Sequence, residues 1–437
     1  MSINTYFQIL ISLTNELYLV GGSVRDYLLK VDCYDYDFVI KNNTISIGKE
    51  LANKTKGSFF ILDHERETIR VVWNIEGKLF NFDIAKIIGE NIINDLELRD
   101  LTINSIAINI NNENYQSIIN HKPIDLKYYI DPSNGLIDLK NNVIQTYKKT
   151  NLSDDPLRML RAFRFSTKFN FKISSNTLET IKNAHIKIKN IAKERVLKEL
   201  YDMLAFNISN ESFKLMFESG LFFSIFDNFI FNQDDISDNI KQLELLLENL
   251  EYNFQSYKEI KYYLQNIIIL NRTNLQCLKF ALIFRQLKNI NLSNDNYLLE
   301  LEKYLRIFTF SALEQRFIIN TVKHLLNLEY INNINLSRTE LYLFFKYTKN
   351  ETISILLLSY IFSEEKEKIK EVLEYYINDK LLSNPPDIIN GSQIMEYFNL
   401  KPSKNIGILL EKIKQAQAEK LISNYEEAIF FIKKLIN

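Results

Sequence analysis

What this chain lacks narrows its class first. Cysteine occurs only at Cys33 and Cys277, too few for a disulfide framework. The four histidines, His64, His121, His185 and His324, are scattered and none is followed by Asp. No Cys/His zinc centre and no His-Asp metal hydrolase site is expected. Ten glycines and six prolines in 437 residues argue against collagenous, linker-rich or turn-dense all-β architectures. No apolar run approaches the ~18 residues of a membrane span; the best, Ile353 to Phe362, is about half that length and carries Ser and Tyr. The N-terminus shows no basic segment leading into a small-residue cleavage site, so no export signal is read. Nor is there an excess of one charge: 53 Lys+Arg stand against 54 Asp+Glu. A globally basic nucleic-acid coat is excluded, and any polyanion contact has to be a local patch. An aqueous, reducing compartment is the expectation.

What is present is apolar substance, 46% of the residues, enough for two to four domains at roughly 100–200 residues each. The first part of the chain carries short β-rich runs separated by turn residues: Leu17–Val20, Asp37–Ile40, Phe59–Leu62, Ile69–Trp73, Leu79–Ile84 and Ile106–Ile110. From about Asp155 the apolar spacing becomes helical, as in Leu197, Leu200, Tyr201 and Leu204, and stays so to the end. Asn384-Pro385-Pro386 marks a break before a last helical module. The fold class is α+β: a head with a small mixed sheet over 1–147, a helical neck over 148–260, and a helical body and tail over 261–437.

One local charge asymmetry follows the head. Between Lys148 and Glu199 there are 13 Lys/Arg and 5 Asp/Glu, a balance of +8. Charge alone leaves two readings open, a solvated helical face or a surface for a phosphate backbone. Two shorter patterns carry chemistry. Leu19-Val20-Gly21-Gly22-Ser23-Val24-Arg25-Asp26 reads as a strand, a glycine turn and a helix start. Such a turn is often no more than a turn, but it also lets a polyphosphate approach backbone N–H groups, and Arg25 can add a charge-assisted fork. In Asp35-Tyr36-Asp37-Phe38, a strand turns both carboxylates to one face and both rings to the other. The pair is either a solvated strand start or an oxygen site for hard divalent cations. Asp83 on a later strand is a candidate third carboxylate.

Together the glycine turn and Asp35-x-Asp37 resemble the head of the bacterial tRNA nucleotidyltransferase/poly(A) polymerase family, within the DNA polymerase beta-like nucleotidyltransferase superfamily. Further segments are similar to that family's motifs in their usual order: Arg99-Asp100-Leu101-Thr102-Ile103-Asn104, Asp131-Pro132-Ser133-Asn134-Gly135, Asp154-Asp155-Pro156-Leu157-Arg158-Met159-Leu160-Arg161-Ala162-Phe163-Arg164, and Glu194-Arg195-Val196 with Glu199. The resemblance implies a template-independent tRNA 3′-end nucleotidyltransferase. Asp35 and Asp37 would be the catalytic, Mg²⁺-holding acids. Gly21, Gly22, Arg25, Arg99, Asp100, Asp155, Arg158, Arg161 and Arg164 would bind the nucleotide. The implied partners are CTP, ATP if adenosine is also added, and the acceptor stem and T arm of tRNA. The implied location is the cytoplasm, or the stroma or matrix of an organelle of bacterial descent.

On a helix, Asp155, Arg158 and Arg161 would share a face. An Asp–Arg pair complements the donor and two acceptors on the edge of cytosine, since Asp only accepts and Arg only donates hydrogen bonds. The same spacing also suits an ordinary ion pair. The chain departs from the family in three places. Leu98 stands where many relatives carry an Arg, and Asp154 where Glu is frequent. Only ten residues, Ala85 to Asn94, lie between Asp83-Ile84 and Asp95-Leu96, where full CCA-adding relatives hold a longer flexible loop with Arg-Arg-Pro. The short loop implies addition of the two cytidines (CC) alone, against full CCA addition, terminal A addition or, more distantly, a poly(A) polymerase.

Overall fold

The computed structural model describes residues 2–207, 210–227, 233–286 and 292–436. They form two compact units: Met1–Ile191 with Leu215–Ile225, and Ala192–Lys214 with Phe226–Asn437.

The first unit is built on a seven-stranded mixed sheet of order β3-β4-β5-β2-β1-β6-β7. Its strands are β1 (Tyr18–Val20), β2 (Asp35–Ile40), β3 (Ser58–Asp63), β4 (Thr68–Ile75), β5 (Lys78–Lys86), β6 (Ala107–Asn109) and β7 (Tyr129–Ile130). All six β-rich runs of the sequence become strands; β7, two residues long, carries too little pattern to be read. β2 and β5 pair in parallel, with Asp35 opposite Asn81, Tyr36 opposite Phe82 and Asp37 opposite Asp83. The remaining pairings of this sheet are antiparallel.

Alternation along β2 turns Tyr36 and Phe38 into the core. There, helix α1 (Ile3–Leu13) inserts Phe7, whose ring meets Tyr36, Phe38 and Phe82 edge-on at 5.1–5.6 Å between centroids. Such contacts add to burial, which itself contributes about 1.5–3 kcal/mol per large side chain. Helix α2 (Gly22–Leu28) follows β1, and α3 (Thr44–Thr55) crosses close to β4. A Cβ on Gly48 of α3 would stand 2.5 Å from the Ile69 side chain, so only glycine fits that crossing.

After β5 come α4 (Ile92–Glu97), a 3₁₀ turn (Thr102–Asn104), α5 (Tyr115–Ile119) and α6 (Gly135–Lys140). Asp131 accepts hydrogen bonds from the Gly135 and Leu136 N–H groups at 2.7 and 2.9 Å, fixing the start of α6. Next are α7 (Lys149–Asp154) and α8 (Leu157–Phe169). A parallel pair of short strands, Val143–Ile144 with Lys172–Ile173, and the Thr102 N–H bonded to the Gln145 carbonyl stitch this region to the head. The expected head boundary at 147/148 falls inside the first compact unit. The compact unit runs on to Ile191, because backbone pairing ties α7 and α8 to the sheet-bearing part.

Among the described residues, the second unit is helical apart from a small hairpin of Ile267–Ile269 with Arg272–Thr273 and the connecting turns. The apolar run 353–362 is a buried helix there, not a surface one. After the Pro385-Pro386 break, helices Gly391–Phe398, Lys404–Ala418 and Tyr425–Ile436 close around a small core of their own, including Ile394, Ile406, Ile413 and Ile432. Among the described residues no helix is long and apolar enough to cross a membrane.

Candidate active site

The site lies entirely within the first unit. β1 ends at Val20, and Gly21 then takes φ +66°, outside the range most side chains tolerate. A Cβ there would also stand 2.7 Å from an Arg99 Nη1, so the turn and the guanidinium touch. Gly22 begins α2, and a Cβ on it would lie 3.7 Å from Asp37 Oδ2. The glycine turn and the strand acids, about a dozen residues apart in sequence, thus meet. Ser23 joins them: its hydroxyl accepts from the Asp37 N–H at 2.7 Å and donates to the Asp35 carbonyl at 3.1 Å.

Asp35 is exposed and accepts a hydrogen bond from the Asn81 side-chain amide. Asp37 is partly covered. Burial, with Asp83 and Asp35 beside it, pushes its carboxyl up to about 6, although Arg99 and Arg25 pull the other way. Crowding of negative charge on one sheet face is what a divalent cation relieves, and two carboxylates with oxygen-only chemistry suit a hard one. The expectation for Asp83 as a third ligand is corrected. It does sit beside Asp37, but both of its oxygens are taken by Arg70, Nε to Oδ1 and Nη2 to Oδ2, each at 2.7 Å. Among the described residues no group of three His, Cys, Asp or Glu side chains is placed to hold an ion.

Arg25 turns inward. Its Nη1 donates to Asn104 Oδ1 at 2.6 Å, its Nε donates to Asp26 at 2.9 Å, and its guanidinium lies over the Phe165 and Phe169 rings at 5.0 and 4.8 Å. Asp100 is buried too, accepting from the Leu101 N–H and the Asn104 amide on one oxygen and from Arg161 Nε at 2.8 Å on the other. Burial alone would raise its carboxyl, but Arg161 and these hydrogen bonds outweigh burial and hold it below the ordinary carboxylate value. The result is a chain Asp26–Arg25–Asn104–Asp100–Arg161 linking the glycine turn to α8. Arg164 stacks over Phe165 at 4.2 Å. Arg25, Asp100 and Arg161 thus make their contacts within the protein, with Asn104 as the hub.

Asp155 is not on the helix with Arg158. α7 ends at Asp154, Asp155 is extended (φ −129°, ψ 95°), and α8 starts after Pro156. Proline at the head of a helix sets this break. Asp155 instead accepts from the Leu157 N–H at 3.3 Å, at the entry to α8.

A cleft of about 630 Å³ opens beside these elements, and its lining includes Glu67, Lys86, Leu98, Arg99, Asp154 and Arg158. Arg99 therefore faces the cleft, touches Gly21 and acts on Asp37. Its orientation is fixed by Asp95, which is buried and accepts from Arg99 Nη2 at 3.0 Å. Asp95 also accepts from the Ile88 N–H at 3.2 Å. Asn151 bridges the Glu97 and Arg99 carbonyls, and Arg158 donates to the Asn151 carbonyl. Asp155 is not among the lining residues, whereas Asp154 is. Asn81, Asp95, Asn104 and Asn151 escaped the sequence reading, since each works through a partner distant in the chain.

The poly(A) polymerase head domain profile matches residues 17–90, the RNA- and SrmB-binding site of polymerase A residues 170–230, and tRNA nucleotidyltransferase domain 2 residues 290–432. A CC-adding tRNA nucleotidyltransferase of Synechocystis sp. is 27% identical over 431 residues, covering 95% of this chain and 93% of the relative. One of Geobacter sulfurreducens is 36% identical over 187 residues, 43% of this chain and 40% of the relative. Among solved structures, a CCA-adding enzyme with ATP aligns over 100% of this chain and 96% of its own, with TM-score 0.73 and 22% identity. A Thermotoga maritima CCA-adding enzyme complexed with tRNA aligns over 100% and 97%, with TM-score 0.70 and 22% identity.

Proposed function

Because the chain belongs to the tRNA nucleotidyltransferase family, we propose that it extends the 3′ end of tRNA by two cytidines from CTP, releasing pyrophosphate. The observation that carries the reading is Arg99, which joins the acid pair and glycine turn to the cleft lined by Asp154 and Arg158.

Asp35 and Asp37 would hold the divalent cation, Mg²⁺ in our reading; when bound it neutralises charge on the phosphates and lowers the pKa of the attacking hydroxyl. The Gly21-Gly22 turn leaves room for the triphosphate against backbone. Arg99 adds positive charge where the phosphates gather, and Asp95 keeps it from swinging away. Arg158, at the start of α8, donates toward the base edge, with Asp154 or Asp155 as its accepting partner. Asp100 and Arg161 orient the segment behind them. The catalysis asked of the chain is positioning and fixed electrostatics.

Restriction to cytidines is supported by the connection between β5 and α4. Only Ile87–Asn91 joins Lys86 to Ile92. That connection is pinned by Ile87 N–H to the Ile40 carbonyl, Ile88 N–H to Asp95, and the Asn91 side chain capping α4. A segment so short and so bonded has little slack with which to reshape the cleft between one base and the next. Incubation of a tRNA transcript ending at the discriminator base with CTP and ATP, resolved by product length, tests this. A product two nucleotides longer is expected, and ready incorporation of a terminal A would overturn the restriction. The partner we propose is the acceptor stem and T arm, held through phosphates by the basic stretch 148–199. Affinity should therefore fall steeply with salt, and a flat response would refute that surface.

A further inference from the structure

Sheet register places one more residue in the metal chemistry. Arg70 on β4 faces Asp83 on β5, and Asp83 faces Asp37 on β2. Residues directly opposite in neighbouring strands project to the same face, and the strands lie about 4.8 Å apart. Arg70, Asp83 and Asp37 therefore form a row across three strands, with Asp83 in reach of any cation on Asp37. Nothing in the backbone keeps Asp83 from becoming a ligand. Among the described residues, Asp83 is restrained by the two-pronged bond from Arg70, which engages both carboxylate oxygens at 2.7 Å.

As a stabiliser the pair has little to offer. Its side chains are 37% and 21% exposed, and solvent screens most of the attraction in ion pairs of that kind. Its geometric consequence is larger. A cation gains affinity with each added carboxylate. A third acid would bind the ion more tightly and take a coordination position that a substrate oxygen needs.

We propose that Arg70 is a positioning residue that withholds Asp83 from the cation, so that the ion rests on Asp35 and Asp37 with positions left for substrate. The inference rests on the assignment of those two acids as the cation's ligands. It predicts that freeing Asp83 makes the resting site bind metal more tightly, the opposite of what damage to the site would do.

The test is Mn²⁺ binding to the full-length, nucleotide-free protein, read from the electron paramagnetic resonance signal of free Mn²⁺, with a thermal melt to confirm folding. Arg70→Met should tighten Mn²⁺ binding about tenfold as the carboxylate count rises from two to three. Arg70→Met combined with Asp83→Asn should return it to within about twofold of the parent, because the third carboxylate is gone. Should Arg70→Met not fold, Arg70→Lys, which keeps the charge and loses the fork, should tighten binding about threefold. Unchanged or weaker binding in the single variants overturns the proposal. A double variant far weaker than the parent does so too, since Asp83 would then already be a ligand. Asp35→Ala with Asp37→Ala separates the two levels. Loss of Mn²⁺ binding there with no response to Arg70 sinks this inference alone, whereas retained binding sinks it together with the assignment beneath it.

Discussion

The crowded charge at Asp37 has a measurable cost to the folded protein. Burial, then Asp83 and Asp35, hold the carboxyl at about 6 against an ordinary 3.8. A group whose folded pKa is raised favours folding in its protonated form, so stability is greatest at low pH and declines as the pH climbs from about 4 to about 6. Above that the penalty is constant. At about 1.4 kcal/mol per tenfold change in proton affinity, it amounts to about 3 kcal/mol at most. Asparagine has the shape of the protonated acid. In chelator, Asp37→Asn should therefore stabilise the first unit at pH 8 by up to about 3 kcal/mol, or roughly 6–12 °C in Tm for a unit of this size. The gain should shrink through the window from pH 6 to pH 4 and vanish below it, while nucleotide incorporation is abolished at every pH. Adding Mg²⁺ should raise the Tm of the parent and not that of the variant. Thermal melts from pH 4 to pH 8, with chelator and with Mg²⁺, measure all of this. A variant less stable than the parent at pH 8, or a difference that does not vary with pH, would refute the reasoning.

Other outcomes follow from the same contacts. Asn104→Ala removes the hub between Arg25 and Asp100 and should destabilise by about 1–3 kcal/mol, with a higher KM for CTP as Asp100 and Arg161 lose register; denaturant unfolding and steady-state kinetics check both. Gly21→Ala must adopt φ +66° and displace Arg99, so stability should fall by about 1 kcal/mol or more and the KM for CTP should rise. Lys279→Met removes an ion pair to Glu244 at 2.7 Å and a hydrogen bond to the Phe206 carbonyl at 2.8 Å in the second unit, and should destabilise that unit by about 1–3 kcal/mol in denaturant unfolding. Gly407 is exposed on a helix with open space around a Cβ, so Gly407→Ala should stabilise by up to about 1 kcal/mol; a loss of stability on melting would contradict the open surface.

What could be read from the sequence was what local pattern carries. Asp35 and Asp37 were legible because a two-residue period puts both acids on one face whatever the strand pairs with. The glycine turn was legible because its residues are its signal. Asn81 and Arg70 were not, since their importance depends on β5 lying parallel to β2 and β4 lying beyond it, a pairing no short segment announces. Asp155 was misplaced because spacing was followed through Pro156, where the helix starts afresh. Asp95 and Asn104 sit within legible segments, but their partners, Ile88 and Arg25, are identified only by the folded chain. The first unit's run past 147 to Ile191 was not legible either: the strand pair that ties this segment to the head is two residues long, and two residues make no pattern.

The parallel ladder between β2 and β5 has a consequence for how this protein tolerates change. The rings on its inner side act as an alignment key for the oxygens on its outer side. Sliding one strand by a single residue would send Phe82 to water and Asp83 inward, so packing around Phe7 and the spacing of the acids stand or fall together. Loss of bulk at Phe7, on the opposite face from the chemistry, should then surface first as a catalytic defect in a chain that still folds.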